Sequence, residues 1–270
     1  MDCCVFVHFG QQDRLSKADL WYVQELSRHF SRVILVINER EFQTKDLPNQ
    51  VDLVHVKNEG YDFGMFYKVF QKLNWADLDR LALVNDSNLL LGDLEEVFRQ
   101  AKGLDTDFWG LIDSSEKPWF STHSGNYHLQ SHFLVWEKEG ISILADFFDQ
   151  ANVEGIFAEN DPKELRRKVI NFWEIGLSQY FLSRNSSPKA LFNSKKISRE
   201  LRKKETINLT MKYPEVLLAL GYPLLKKKYV RNNSPLARFL NPSKKWETLL
   251  EKYLDPRVDL KDLMSEFKRL

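Results

Sequence analysis

Asn85, Asp86 and Ser87 follow the apolar run Leu81–Val84 and precede Leu89, Leu90 and Leu91, so a polar triplet sits where a buried strand should end. Residues i and i+2 leaving a strand point the same way, and two acids so placed can grip a hard divalent cation against a pair of phosphates. Here those two places hold Asn85 and Ser87, with Asp86 between them. One carboxylate and two neutral oxygens bind Mg or Mn weakly unless phosphates complete the shell, so Asp86 is the metal candidate and metal-independent action stays open. A plain strand cap and turn explains the same three residue types.

A second cluster runs from Asn58 through Gly60, Tyr61, Asp62 and Gly64 to Lys68. The glycines allow positive φ or close backbone approach, and a helix begins at once. A helix N-terminus beside small residues suits a phosphate or a ribose, with Asp62 able to accept from a sugar hydroxyl. His8, Phe9 and Gly10 close the first apolar run in the same manner. Alone, each pattern is also an ordinary helix cap or strand end.

His128, Gln130 and His132 alternate with Leu129 and Ser131, which places the polar groups on one face of an extended chain. Mixed donors and acceptors of this kind suit hydroxyl-rich ligands, though any one of these histidines also fits as a satisfied core group. No cysteine or acid stands near them at zinc-site spacing, which argues against a metal–histidine centre. Glu174 lies in the apolar turn Phe172-Trp173-Glu174-Ile175-Gly176. Partial burial there would raise its pKa toward working pH and make it the candidate general base. The competing reading is a surface glutamate paired with a nearby Arg or Lys.

These residues need strands to aim them. Cys4–Phe9, Arg32–Ile37, Val51–Val56 and Leu81–Val84 read as strands, separated by helical spacing at Ser16–Phe30 and Gly64–Leu73. That alternation predicts a mainly parallel sheet with helices on both faces, whose ligands bind beyond the strands' carboxyl ends. Asp107–Leu111 and Ser131–Trp136 read as two further strands around the turn-rich loop Ser114–Tyr127. Helices are expected over Ile141–Asn152, Pro162–Leu182, Lys244–Leu254 and Leu260–Leu270.

A chain of 270 residues with 43% apolar content forms a globular α/β protein. Its net charge of +1 does not point to nucleic acid. Between Lys189 and Arg231, however, 12 basic residues face 3 acidic ones. That asymmetry suits an anionic partner such as a diphosphate, a lipid headgroup or an acidic glycan, or else a solvated helical face. Lys195, Lys196 and Lys226–Lys228 could neutralise a leaving diphosphate. The last three could instead rest on an anionic membrane surface. Cys3 and Cys4 are adjacent and form no disulfide framework, and there is neither a leader-like start nor a run of about 18 apolar residues. The expectation is a cytoplasmic protein, peripheral on the inner face of the membrane at most.

In combination the segments are more specific. Asn58-Glu59-Gly60-Tyr61-Asp62-Phe63-Gly64, Asn85-Asp86-Ser87, Asp107-Phe108-Trp109-Gly110 and His128–Phe133 resemble, in order and spacing, the rhamnan synthesis protein F family. Trp173–Ser178 and Gly221–Lys227 do so as well, and the resemblance spans roughly Phe6 to Lys228. The triplet after the fourth strand is similar to the Asp-x-Asp region of GT-A glycosyltransferases, with neutral residues at the two acidic places. The resemblance implies a GT-A-like (Rossmann-like) α/β domain over residues 1–185, mainly parallel and flanked by helices. A basic, mainly helical C-terminal extension over 186–270 would pack on it. It implies a glycosyltransferase moving a sugar, rhamnose by the family's usual assignment, from dTDP-rhamnose or a UDP sugar to a glycan or lipid-linked acceptor. Donor contacts would come from His8, Phe9, Gly10, Asn58, Gly60, Tyr61, Asp62, Gly64, Lys68, Asn85, Asp86 and Ser87. Acceptor contacts would come from Trp109, the loop before Tyr127, and His128, Gln130 and Ser131 within His128–His132, with Glu174 as base, His128 and Asp86 in reserve, and inversion at the anomeric carbon. The rival is a non-catalytic glycan-binding subunit with a degenerate metal site. Phosphoryl transfer ranks lower because no P-loop is present.

Overall fold

The computed structural model describes residues 1–10, 12–231, 246–261 and 263. Four strands, β1 (Asp2–His8), β2 (Arg32–Ile37), β3 (Val51–His55) and β4 (Arg80–Asn85), pair in parallel in the order β3-β2-β1-β4. Beyond β4 the sheet becomes mixed. β8 (Phe133–Glu137) runs antiparallel to both β4 and β6 (Phe108–Ser114), and β6 also carries β7 (His128–Leu129) and β9 (Lys189–Phe192). The architecture is thus a mostly parallel, eight-stranded sheet flanked by helices.

Strand alternation sorts β1 into two cores. Cys3, Val5 and Val7 face α2 (Tyr61–Phe70) and α4 (Lys138–Gln150), while Cys4 and Phe6 face α1 (Lys17–His29) and α3 (Glu95–Ala101). Helices on opposite faces follow from the strand order. The β1–β2 connection runs to one side of β1 and the β3–β4 connection returns to the other. The carboxyl ends of β1 and β4 therefore form the switch-point crevice where ligands of such sheets bind. The start of α1 is fixed by a reciprocal cap: Ser16 Oγ accepts from Asp19 N at 3.0 Å and donates to the Asp19 carboxylate at 2.8 Å.

The expected helix Pro162–Leu182 is three consecutive pieces. Capped by Asp161, α6 (Pro162–Lys168) runs into a π-turn (Val169–Ile175) and then α7 (Gly176–Ser183). The expected strand Ser131–Trp136 is also divided, because residues 131–132 form a turn between β7 and β8. Beyond residue 185 the chain is not only helical. It adds β9 to the main sheet, and β10 (Leu224–Lys226) pairs antiparallel with β5 (Asn88–Leu90). Leu89, Leu91, Leu225, Val230 and the helix Trp246–Tyr253 build a small third core there. The first two residues of the expected helix Lys244–Leu254, and most of Leu260–Leu270, lie outside the described residues. No described helix is long and apolar enough to cross a membrane.

Candidate functional site

A cavity of about 660 Å³ opens at the switch-point crevice. It is lined by Phe9 after β1, by Asn85 at the end of β4 and Ser87 beyond it, and by Tyr61, Asp62 and Phe63 at the start of α2. Ser114, Glu116, Pro118 and Phe120 line it as well, together with His128, Gln130 and Ser131. Arg166, Val169, Ile170 and Glu174 from α6 and the π-turn face it, and Asn208, Lys226 and Lys228 complete the rim. Asp62 and Asn85 touch directly: Asn85 Nδ2 donates to Asp62 Oδ2 at 2.6 Å.

The triplet after β4 divides between two environments. Asn85 and Ser87 turn into the cavity, where Ser87 Oγ donates to Asn85 Oδ1 at 2.5 Å. Asp86 turns the other way, into a sealed group, as alternation along a strand requires. Its Oδ2 lies 2.8 Å from His8 Nδ1 and accepts Phe9 N at 3.0 Å. His8 Nδ1 is also 3.8 Å from Asp19 Oδ2, and Lys227 Nζ donates to Asp19 Oδ1 at 2.6 Å. Burial opposes ionisation of Asp86, yet His8, Lys227 and the Phe9 amide outweigh it and hold the carboxyl below its ordinary value.

His8, Asp19 and Asp86 could hold a metal ion, since one ligand atom of each lies within 4.8 Å of the others. The fit to Mg or Mn rests on the two carboxylates, imidazole being better suited to softer ions, and Lys227 already shares Asp19 with any incoming cation. Sequence spacing did not suggest acid partners for a histidine. These come from β1, α1 and the end of β4, and only the fold brings them together.

Charges in the cavity are arranged in two sets. Asp62 is pushed up to about 6 by burial and by the neighbouring Glu174 charge, against the hydrogen bonds from Asn85 and the backbone. Glu174 Oε1 accepts from Ser131 N at 3.3 Å and Ser131 Oγ at 3.2 Å. A π-turn places it there, a local irregularity often found at functional sites. Burial pulls the Lys226 amine below its usual range, with Glu174 opposing that shift. Lys226 and Lys228 reach the cavity because β10 is laced to β5 and Lys227 N donates to Ser87 O at 3.0 Å. The intervening Lys227 points to Asp19.

Gly60 and Gly64 act on the backbone. Gly60 caps α2 at φ 78°, and a Cβ on Gly64 would lie 1.6 Å from Glu59 O. Both are needed to start α2 against the loop and present Tyr61 and Asp62. Several expected ligands stand elsewhere. Lys68 pairs with Glu59, and Asn58 N donates to Asn38 Oδ1 at 3.0 Å, neither lining the cavity. His8 and Asp86 lie in the sealed group, and Gly10 accepts from Arg40 at its edge. Trp109 is a core residue, 1% exposed, packed on Phe98 and Phe133 with Nε1 donating to Glu137. His132 does not share the face of His128 and Gln130, because the turn at 131–132 breaks the alternation. Its Nε2 meets Tyr222 Oη at 2.5 Å, and burial holds it neutral, far below the usual imidazole range. His128 Nδ1 is 2.8 Å from Asn126 O and must donate there, so a neutral ring carries its lone pair on Nε2. Lys195 pairs with Glu205 at 3.2 Å on the exposed surface. Arg166 and Asn208 were missed, whereas Glu116 lies in the loop before Tyr127 from which acceptor contacts were expected. Arg166 sits one turn before Ile170 on a run already read as helical, so its face was the available signal.

The model of the family described as rhamnan synthesis protein F matches residues 34–249, most of the chain. The chain belongs to that family. The match to rhamnan synthesis protein F takes in Asp62, Asn85, Glu174 and Lys226 and leaves β1 outside. No protein of curated description matches. Among solved structures, the chain is similar to a Bacillus anthracis protein assigned as a glucose-1-phosphate thymidylyltransferase, in complex with a sucrose. That likeness has 5% identity and a TM-score of 0.45, over 71% of this chain and 87% of that one. Another is 4-diphosphocytidyl-2C-methyl-D-erythritol synthase from Anaerococcus prevotii, at 9% identity and a TM-score of 0.41, over 82% and 97%. A third is HddC from Yersinia pseudotuberculosis, at 14% and 0.36, over 54% and 80%. The fold rests on the strand order of the sheet itself.

Proposed function

We propose that this chain is a GT-A-like glycosyltransferase that moves a sugar, rhamnose by the sense of its family's name, from a nucleoside diphosphate to a glycan acceptor with inversion. The observation that carries the reading is one cavity at the β1/β4 crevice lined by Glu174, Asp62, Asn85 and Ser87 together with Arg166, Lys226 and Lys228. The acceptor hydroxyl attacks the anomeric carbon as its proton passes to the Glu174 carboxylate. The bond from that carbon to the diphosphate oxygen breaks, and the electron pair leaves with the diphosphate. Arg166, Lys226 and Lys228 neutralise the charge that develops there. Asp62, Asn85 and Ser87 bind the donor's hydroxyls, and His128, Gln130 and Ser131 orient the acceptor. A Mg or Mn ion arriving with the donor would add positive charge at the diphosphate.

The test is a screen of nucleotide sugars, dTDP-rhamnose and UDP sugars included, for thermal stabilisation with and without Mn, followed by release of nucleoside diphosphate and the product's anomeric configuration. Retention would remove Glu174 as base. A second reading, a glycan-binding subunit without turnover, is favoured by Asn85 and Ser87 standing neutral where a metal-gripping pair would be. Binding without diphosphate release would select it.

A further inference from the structure

The helical run that gives Val169, Ile170 and Glu174 to the first cavity gives Lys168, Phe172 and Gly176 to a second, of about 630 Å³. Its lining mixes flat rings with planar amides: Phe147, Phe172 and Tyr180 stand with Gln150, Asn152 and Gln179. Each amide is held at one end. Gln150 Nε2 donates to Tyr180 Oη at 2.8 Å, Gln179 Nε2 to Tyr127 O at 2.7 Å, and Asn152 Oδ1 accepts from Gly155 N at 2.9 Å. An amide anchored in this way is fixed in plane and retains further donor and acceptor capacity. The cavity's one lysine, Lys168, is paired with Glu159 at 2.7 Å, so the lining has no call for a phosphate. Phe172 is 48% exposed, so its ring face is accessible from the cavity.

Rings that take the C–H face of a pyranose, beside amides that take its hydroxyls, describe a sugar subsite. We propose that this second cavity binds an uncharged saccharide segment of the glycan that the transferase extends, an inference that rests on the transferase reading above. Its link to the first cavity is covalent and short. The loop that gives Phe120 to the first cavity gives His123 to the second. Asn171 of the π-turn clasps that loop: its Oδ1 accepts from Thr122 N at 3.0 Å, and its carbonyl oxygen lies 2.9 Å from His123 Nε2. A glycan held in the second cavity therefore rests on the same loop and π-turn that position the reacting end.

The test measures binding of short and long rhamno-oligosaccharides by calorimetry and saturation-transfer NMR, with no nucleotide sugar present. Phe172→Ala removes a half-exposed ring, and Gln150→Leu removes an amide at similar volume. Each should weaken the long oligosaccharide by roughly tenfold, while Lys195→Met on the outer surface leaves it unchanged. Wild-type affinity in both cavity variants would overturn the proposal. So would absence of oligosaccharide binding to the wild type, or decanol occupying the cavity in place of the saccharide. Nucleotide-sugar turnover is scored separately. Its failure alongside Phe172-dependent saccharide binding would sink the transferase reading and leave the subsite, whereas turnover without Phe172-dependent binding would do the reverse.

Discussion

Two charged groups lie back to back at the carboxyl ends of β1 and β4. One is sealed: His8, Asp19, Asp86 and Lys227 are linked in a chain of hydrogen-bond or ion-pair distances, with His8, Asp19 and Asp86 all buried. The other is open: Asp62, Glu174, Arg166, Lys226 and Lys228 line a cavity and leave their charge facing space. The same two tripeptides feed both, because Asn85 and Ser87 face the cavity while Asp86 does not, and Lys226 and Lys228 face it while Lys227 does not. The contrast teaches that an acid in a motif is not thereby a ligand. Charge that is already balanced contributes to architecture, and unbalanced charge is available to a substrate.

If this division is right, variants of the two groups fail in different assays. The largest expected effect is Glu174→Gln, which should cut nucleoside diphosphate release by roughly 10²–10⁴-fold with little change in the urea midpoint. A loss of stability instead would make Glu174 architectural. Lys227→Met should do the opposite, costing about 3–5 kcal/mol of unfolding free energy because it leaves Asp19 buried without its ammonium. Urea titration checks it, and an unchanged midpoint with lost donor binding would merge the two groups into one site.

Asp62 sharpens the comparison through pH. Its carboxyl stands at about 6 in the fold against an ordinary 3.8, so between those values the folded chain keeps a proton that the unfolded chain releases. Stability contributed by the neutral form should therefore fall as pH rises through that window and level off above it, by about 3 kcal/mol at most. Asp62→Asn, which cannot titrate, should lack that fall when thermal midpoints are followed from pH 4 to about 7. Lys226→Met and Lys228→Met should each weaken donor binding by roughly tenfold to a hundredfold, the range of a charge-assisted hydrogen bond, read by titration with a nucleotide sugar. Lys195→Met is expected to shift stability by less than about 0.5 kcal/mol and donor affinity not at all. A donor effect there would return the diphosphate to the exposed surface.

Much of the scaffold was legible beforehand. The four parallel strands and α1 follow from apolar runs and a Ser–Asp cap, and Asp62, Asn85, Ser87, Gln130 and Glu174 were named from their junctions. Trp109 was named as an acceptor contact and is a core residue, since a tryptophan at a strand end has the same local pattern whether its ring meets a ligand or the core. His132 was misjudged because a two-residue turn reverses alternation without a glycine or proline to announce it.

Local pattern thus determined which segments became strands and helices, where each strand ended, and which polar residues lay at those ends. The family resemblance rested on the same short stretches. Tertiary structure alone decided which polar residues share a space. Asp19 and Lys227 are 208 positions apart, and Asn85 and Asp62 are 23 apart. Side-chain direction is a local property, but balance of charge is not: it depends on neighbours that only the packed sheet brings within a few ångströms.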